Sequence, residues 1–105
     1  MATLLNNATS VGAGQYYRAS GPNRSFQAVL SGIGAVSATV VVEGTNDADS
    51  NAMPQNWLLL GTINLSGTNI ATDGFPSNTN WIFVRMRVSS ISGTGATVRG
   101  GVEAS

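Results

Sequence analysis

Five stretches of this chain alternate apolar and polar residues with a period of two. No window shows the 3.6-residue period of a capped amphipathic helix. Such alternation buries one face of an extended strand, which excludes helical classes of fold. "RSFQAVLS" sets Phe26, Ala28 and Leu30 on one side. "AVSATVVVEG" does the same with Val36, Ala38, Val40 and Val42, leaving Ser37, Thr39 and Glu43 largely opposite. "NWLLLGTINL" aligns Trp57, Leu59, Ile63 and Leu65, and "GATVRGGVE" aligns Ala96, Val98 and Val102. In "NWIFVRMRVSS" Ile82, Val84, Met86 and Val88 make a core face, while Trp81, Phe83, Arg85 and Arg87 fall on the other.

The punctuation agrees with strands. "SGIGA", "LSGTN" and "ISGTGA" are Gly/Ser clusters of the kind that close hairpins or carry bulges. Their unequal spacing is turn chemistry reused, since solenoids and propellers need a fixed period. Weaker strands are expected at "TLLNN", "QYYRAS" and "NIATDGF". The expected fold is all-β: a single β-sandwich or jelly-roll-like domain of about seven or eight antiparallel strands. Residues 24–105 form that domain. Residues 1–23 are small, polar and Gly-rich, with Tyr16 and Tyr17 as their anchor. Three readings of them stay open: a loosely packed terminus, an extended arm docking on a neighbouring subunit through the tyrosines, and an edge strand.

Composition narrows function. At 105 residues the chain makes one domain, and only 10% of it is charged, against about 25% in ordinary soluble domains. Its five basic residues are all arginine and balance five acids. A nucleic-acid partner, which would need a basic face, is therefore not expected. Strand edges are commonly blunted by lysine or proline, and a chain without lysine has a surface that tolerates being covered. With no histidine, cysteine or lysine, acid–base work would fall to Glu43, Asp47, Asp49, Asp73 and Glu103, so neither enzyme activity nor a cofactor is expected. The opening "MATLLNNATSVGAG" lacks a secretory signal's basic and apolar regions, and no run approaches the roughly 20 apolar residues of a membrane span. Synthesis in a cytoplasm and no membrane partner are expected.

Two constellations remain. Asp47, Asp49 and Asn51 have the spacing of the first half of a calcium loop, but Ala52 stands where that loop wants glycine and Leu58 where it wants a bidentate glutamate. A solvated loop with Asx turns ending at Pro54 is the plainer reading, with these residues a weak metal candidate. The second is the aromatic–arginine face. If "SISGTGA" closes a hairpin, Arg85, Arg87, Arg99 and Glu103 share one face beside Trp81 and Phe83. Trp, Phe and Arg are enriched at the energetic centres of protein interfaces. A partner-facing surface, cover by the N-terminal segment with solvated arginines, and sugar stacking on Trp81 all fit.

The segments "SFQAVLSGIGAVSATVVVEGTND", "NWLLLGTINLSG", "TDGF" and "WIFVRMRVSSISGTGATVRGGV", in that order, resemble small virion proteins of tailed bacteriophages, and among them capsid decoration (cement) proteins. The resemblance covers roughly residues 26–102. It implies a small β-sandwich or jelly roll on the outside of the head shell, working as a homo-dimer or homo-trimer. Its partners would be the major capsid protein and sister subunits, with no catalytic residues. The same pattern occurs in tail components, so a tail or neck subunit is an alternative. "EGTNDADSNAMPQNWLLL" also loosely resembles the discoidin-type carbohydrate-binding fold, which would make the chain a glycan-binding module acting through Trp81 or Trp57.

Overall fold

The computed structural model describes residues 2–18, 23–46, 56–77 and 81–104. These form one antiparallel sheet of six strands and, among the described residues, no helix. The strands are β1 (Ala2–Ala8), β2 (Gly12–Ala13), β3 (Tyr17–Arg18), β4 (Arg24–Thr45), β5 (Leu58–Ser77) and β6 (Phe83–Ala104). β4 is central, with β5 on one side and β6 on the other; β1, β2 and β3 line the outer edge of β6. The all-β expectation holds. The expected seven or eight separate strands are replaced by three long ones of 22, 20 and 22 residues and three short ones.

Strands this long cannot be straight here. Twenty-two residues at about 3.3 Å each would reach roughly 70 Å, yet the longest dimension of the molecule is 44 Å. Each long strand doubles over. A Cβ built on Gly61 would lie 2.5 Å from Cζ of Phe75 in the same strand, and one on Gly100 would lie 2.3 Å from Sδ of Met86. The bends fall where pairing between the long strands slips, near Ser31–Ser37 of β4. Gly34 and Gly95 take φ of 75° and 64° there, and Asn69 takes 66°. Asn69 Oδ1 accepts a 2.8 Å hydrogen bond from Gly34 N, tying the bends of β4 and β5 together. "SGIGA", "LSGTN" and "ISGTGA" thus bend continuous strands and do not close hairpins between separate ones.

The interior lies between the two limbs of this folded sheet. Phe26, Ala28, Leu30, Val36, Ala38, Val40 and Val42 of β4 are all buried, as the alternation requires. Ile63, Leu65, Val84, Met86, Val88, Ala96, Val98 and Val102 complete the core from β5 and β6, and Leu4 and Leu5 add to it from β1. The alternation fails at bulges. Val42 pairs with Gly61 but Glu43 with Leu59, so Leu60 is extra. It therefore packs on the core, while Leu59, expected inside, is 64% exposed.

Residues 2–18 run along β6. Ala2 pairs with Val102 and Ala8 with Val98, then Gly12 with Val88 and Arg18 with Phe83. The segment thus takes the short way across the bend. Its own limbs are tied together by Gln15 N, which donates to Leu4 O at 3.1 Å, and Gln15 Nε2, which donates to Thr3 O at 2.8 Å.

Candidate functional site

Strand pairing builds the site on the outward side of one limb. Glu43 stands between Leu59 of β5 and Arg85 of β6, and Val41 stands between Thr62 and Arg87. On β4 and β6 the odd-numbered side chains here point away from the core. The bulge at Leu60 turns Leu59 of β5 to the same side, so Glu43, Leu59, Arg85 and Arg87 share one face. Glu43 is 8% exposed despite that direction. Its Oε1 accepts a 2.9 Å hydrogen bond from Arg85 Nε and lies 3.6 Å from Arg87 Nε. One carboxylate thus serves two guanidiniums, leaving a net positive charge. Arg85 is held tightly; Arg87 is held more loosely, with its side chain 42% exposed.

Aromatic rings frame this ion pair. The Trp57 ring centroid lies 4.3 Å from Arg85 Cζ, a cation–π contact. Tyr16, just before β3, meets Phe83 edge to face at 5.6 Å. Both tyrosines remain accessible: Tyr16 is 42% and Tyr17 40% exposed. Leu58 and Leu59 extend the apolar part of the surface on β5. The result is a half-exposed patch of aromatic and aliphatic groups around a charge cluster whose one acid is buried.

Trp81 does not belong to it. β6 begins only at Phe83, and Ile82 N donates to Asn46 Oδ1 at 2.8 Å, so the alternation does not extend back through residues 81 and 82. Trp81 instead packs against the core: a Cβ on Gly44 would meet its Cγ at 2.8 Å and Leu60 Cδ1 at 3.0 Å. Ile82, expected in the core, is 41% exposed.

Arg99 is also elsewhere. β6 folds over between Arg87 and Arg99, so the outward faces of its two limbs look in opposite directions. Arg99 pairs with Val29 and lines a shallow cleft with Thr3, Asn6, Asn7 and Gln27. Glu103, on that limb, lies away from Arg85 and Arg87 for the same reason. The structure therefore brings together Tyr16, Phe83, Arg85 and Arg87, adds Glu43 and Trp57, and leaves out Trp81 and Arg99. The Asp47, Asp49 and Asn51 candidate lies outside the described residues. No group of three His, Cys, Asp or Glu side chains close enough for a metal occurs among those described.

Sequence reasoning missed Glu43 because its role follows from registry between strands forty residues apart. It also missed Arg24, the first residue of β4, which is 4% exposed with no hydrogen-bond partner for Nε, Nη1 or Nη2. Burial pushes its pKa below the ordinary guanidinium value.

No protein-family model and no curated protein matches the chain. Among solved structures it is similar to the SPBc2 prophage-derived protein YomS. The two are 21% identical with a TM-score of 0.51, over 95% of this chain and 87% of that one. At that identity the likeness is one of fold.

Proposed function

We propose that this chain is a structural protein of a bacteriophage particle that acts by adhesion, most specifically a capsid decoration protein bridging subunits on the outside of the head shell. The observation that carries this reading is the half-exposed patch of Tyr16, Trp57, Phe83 and Arg87 around the Glu43–Arg85 pair. The fold shared with a prophage-derived protein supports the phage origin. The motifs quoted above, which resemble decoration proteins, support the head.

The chemistry is that of contact without reaction. Covering the patch removes apolar surface from water, worth about 25 cal/mol per Å² before ordering costs. Arg87 has donors free to meet a carboxylate of the major capsid protein, whereas Arg85 is committed to Glu43. Many copies on one shell turn modest single contacts into a large total. Binding the assembled shell in preference to its free subunits opposes disassembly.

The test is co-sedimentation of the purified protein with undecorated heads of the phage that encodes it, and in parallel with host-cell glycans. Head binding is expected, weakened at least tenfold in a Tyr16→Ala, Arg87→Glu double variant that keeps the parent's circular-dichroism spectrum and unfolds cooperatively above the assay temperature. Binding unchanged in that variant means the wrong face was chosen. Binding to glycans with none to heads replaces adhesion to capsid by the carbohydrate-binding reading.

A further inference from the structure

The two outer edges of the sheet are treated differently. Residues 2–18 cover the edge of β6 along both of its limbs. Among the described residues nothing pairs with the outer edge of β5, although that strand runs for 20 residues. A bare edge is a row of unpaired N–H and C=O groups, and natural proteins blunt it with charge, proline or a covering segment. β5 carries one charged side chain, Asp73, and its single proline, Pro76, stands next to its end. Instead it exposes Leu58 (53%), Leu59 (64%) and Ile70 (60%).

We propose that the free edge of β5 is a self-association surface at which a second copy of this chain adds its own β5 in antiparallel register. Three features select that occupant. First, β5 doubles over, so the flank presents two strand edges stacked one above the other. A lone peptide strand satisfies one of them; another copy of the same folded sheet satisfies both. A two-fold axis through the flank, normal to the two limbs, pairs each limb with its own equivalent, and both pairings are antiparallel. Second, with Asp73 as the strand's one charge, self-pairing brings few like charges together. Third, the size fits. Two limbs of about ten residues, each roughly 33 Å long and stacked about 10 Å apart, give with their side chains a flank of several hundred Å², near the roughly 800 Å² that one partner contributes to a standard interface. The contact adjoins the aromatic–arginine patch at Leu58 and Leu59 but does not rest on the capsid reading.

The experiment is sedimentation equilibrium of the purified chain over a concentration series, with no phage particles present. The expected species is a dimer of twice 10.8 kDa. In a Thr62→Lys, Ser66→Lys double variant, both positions exposed on β5, like charges meet across the two-fold, and dimerisation is expected to weaken about tenfold or more. A chain that stays monomeric throughout the series overturns the proposal, as does a dimer whose constant the two lysines leave unmoved. Should the variant fail to fold, amide exchange on the unmodified protein decides. Rates across 58–77 are expected to slow as concentration rises, and concentration-independent rates there count against the pairing. Because no head enters the measurement, its failure leaves the capsid reading standing.

Discussion

Replacing Arg24 by methionine is expected to stabilise this protein, although the substitution removes an arginine. Arg24 begins β4 with its side chain in the interior, where Nε, Nη1 and Nη2 all lack a partner. A buried polar group left unsatisfied costs about 1–3 kcal/mol, and more when charged. Methionine keeps most of the apolar stem and removes the desolvated charge. Replacing whole buried ion pairs by apolar residues is neutral or stabilising by about 1–4 kcal/mol in other proteins, and here no partner is left stranded. The expected gain is about 2 kcal/mol. Each kcal/mol moves the melting temperature by about 4–8 °C in a domain near 100 residues, so Arg24→Met should melt on the order of 10 °C higher. Thermal unfolding followed by circular dichroism reads this directly. Arg99→Met, at an exposed position, serves as control and should move stability by less than about 0.5 kcal/mol. Arg24→Lys, which keeps a buried charge, should show none of the methionine's gain. A lower melting temperature for Arg24→Met would refute the reasoning, since the guanidinium would then be making a contact worth more than its desolvation.

Three further outcomes follow from the packing. Gly61→Val should destabilise by about 1–3 kcal/mol in chemical denaturation, because the new side chain collides with the Phe75 ring; strand propensity alone predicts the opposite sign. Glu43→Gln should cost about 1–2 kcal/mol by leaving Arg85 without its carboxylate. In a double-mutant cycle with Arg85→Met, most of that cost should vanish, and strictly additive losses would show that the pair is not coupled. Tyr16→Ala should lower stability by about 1 kcal/mol through its lost edge-to-face contact with Phe83, measured against Tyr17→Ala.

The sequence was most informative where alternation ran uninterrupted. Phe26 to Val42 and Val84 to Val88 point inward as their period demands, and that much makes the chain all-β. It was least informative where one residue is inserted or a strand starts late. A bulge at Leu60 exchanges it with Leu59, and the start of β6 at Phe83 lets Trp81 pack against the core. Glycine clusters were ambiguous for a physical reason: the positive φ that closes a hairpin also bends a continuous strand. What separates the cases is small residues facing large ones fourteen positions away in the same strand, Gly61 with Phe75 and Gly100 with Met86. Arg24 fits the alternation and defies the chemistry of its side chain. On the candidate site, Phe83, Arg85 and Arg87 were legible as one face from local sequence alone. Glu43 and Trp57 needed the register between distant strands.

The pairing of Ala2 with Val102 has a consequence for synthesis. As the chain leaves the ribosome, β4 and β5 can zip together early, but the N-terminal segment has nothing to lie against until β6 has emerged. Until then, Leu4 and Leu5 trail in water beside a half-built hairpin with both flanks bare. Closure joins the first of the six strands to the last, so the nascent domain is at its stickiest just before β6 is made.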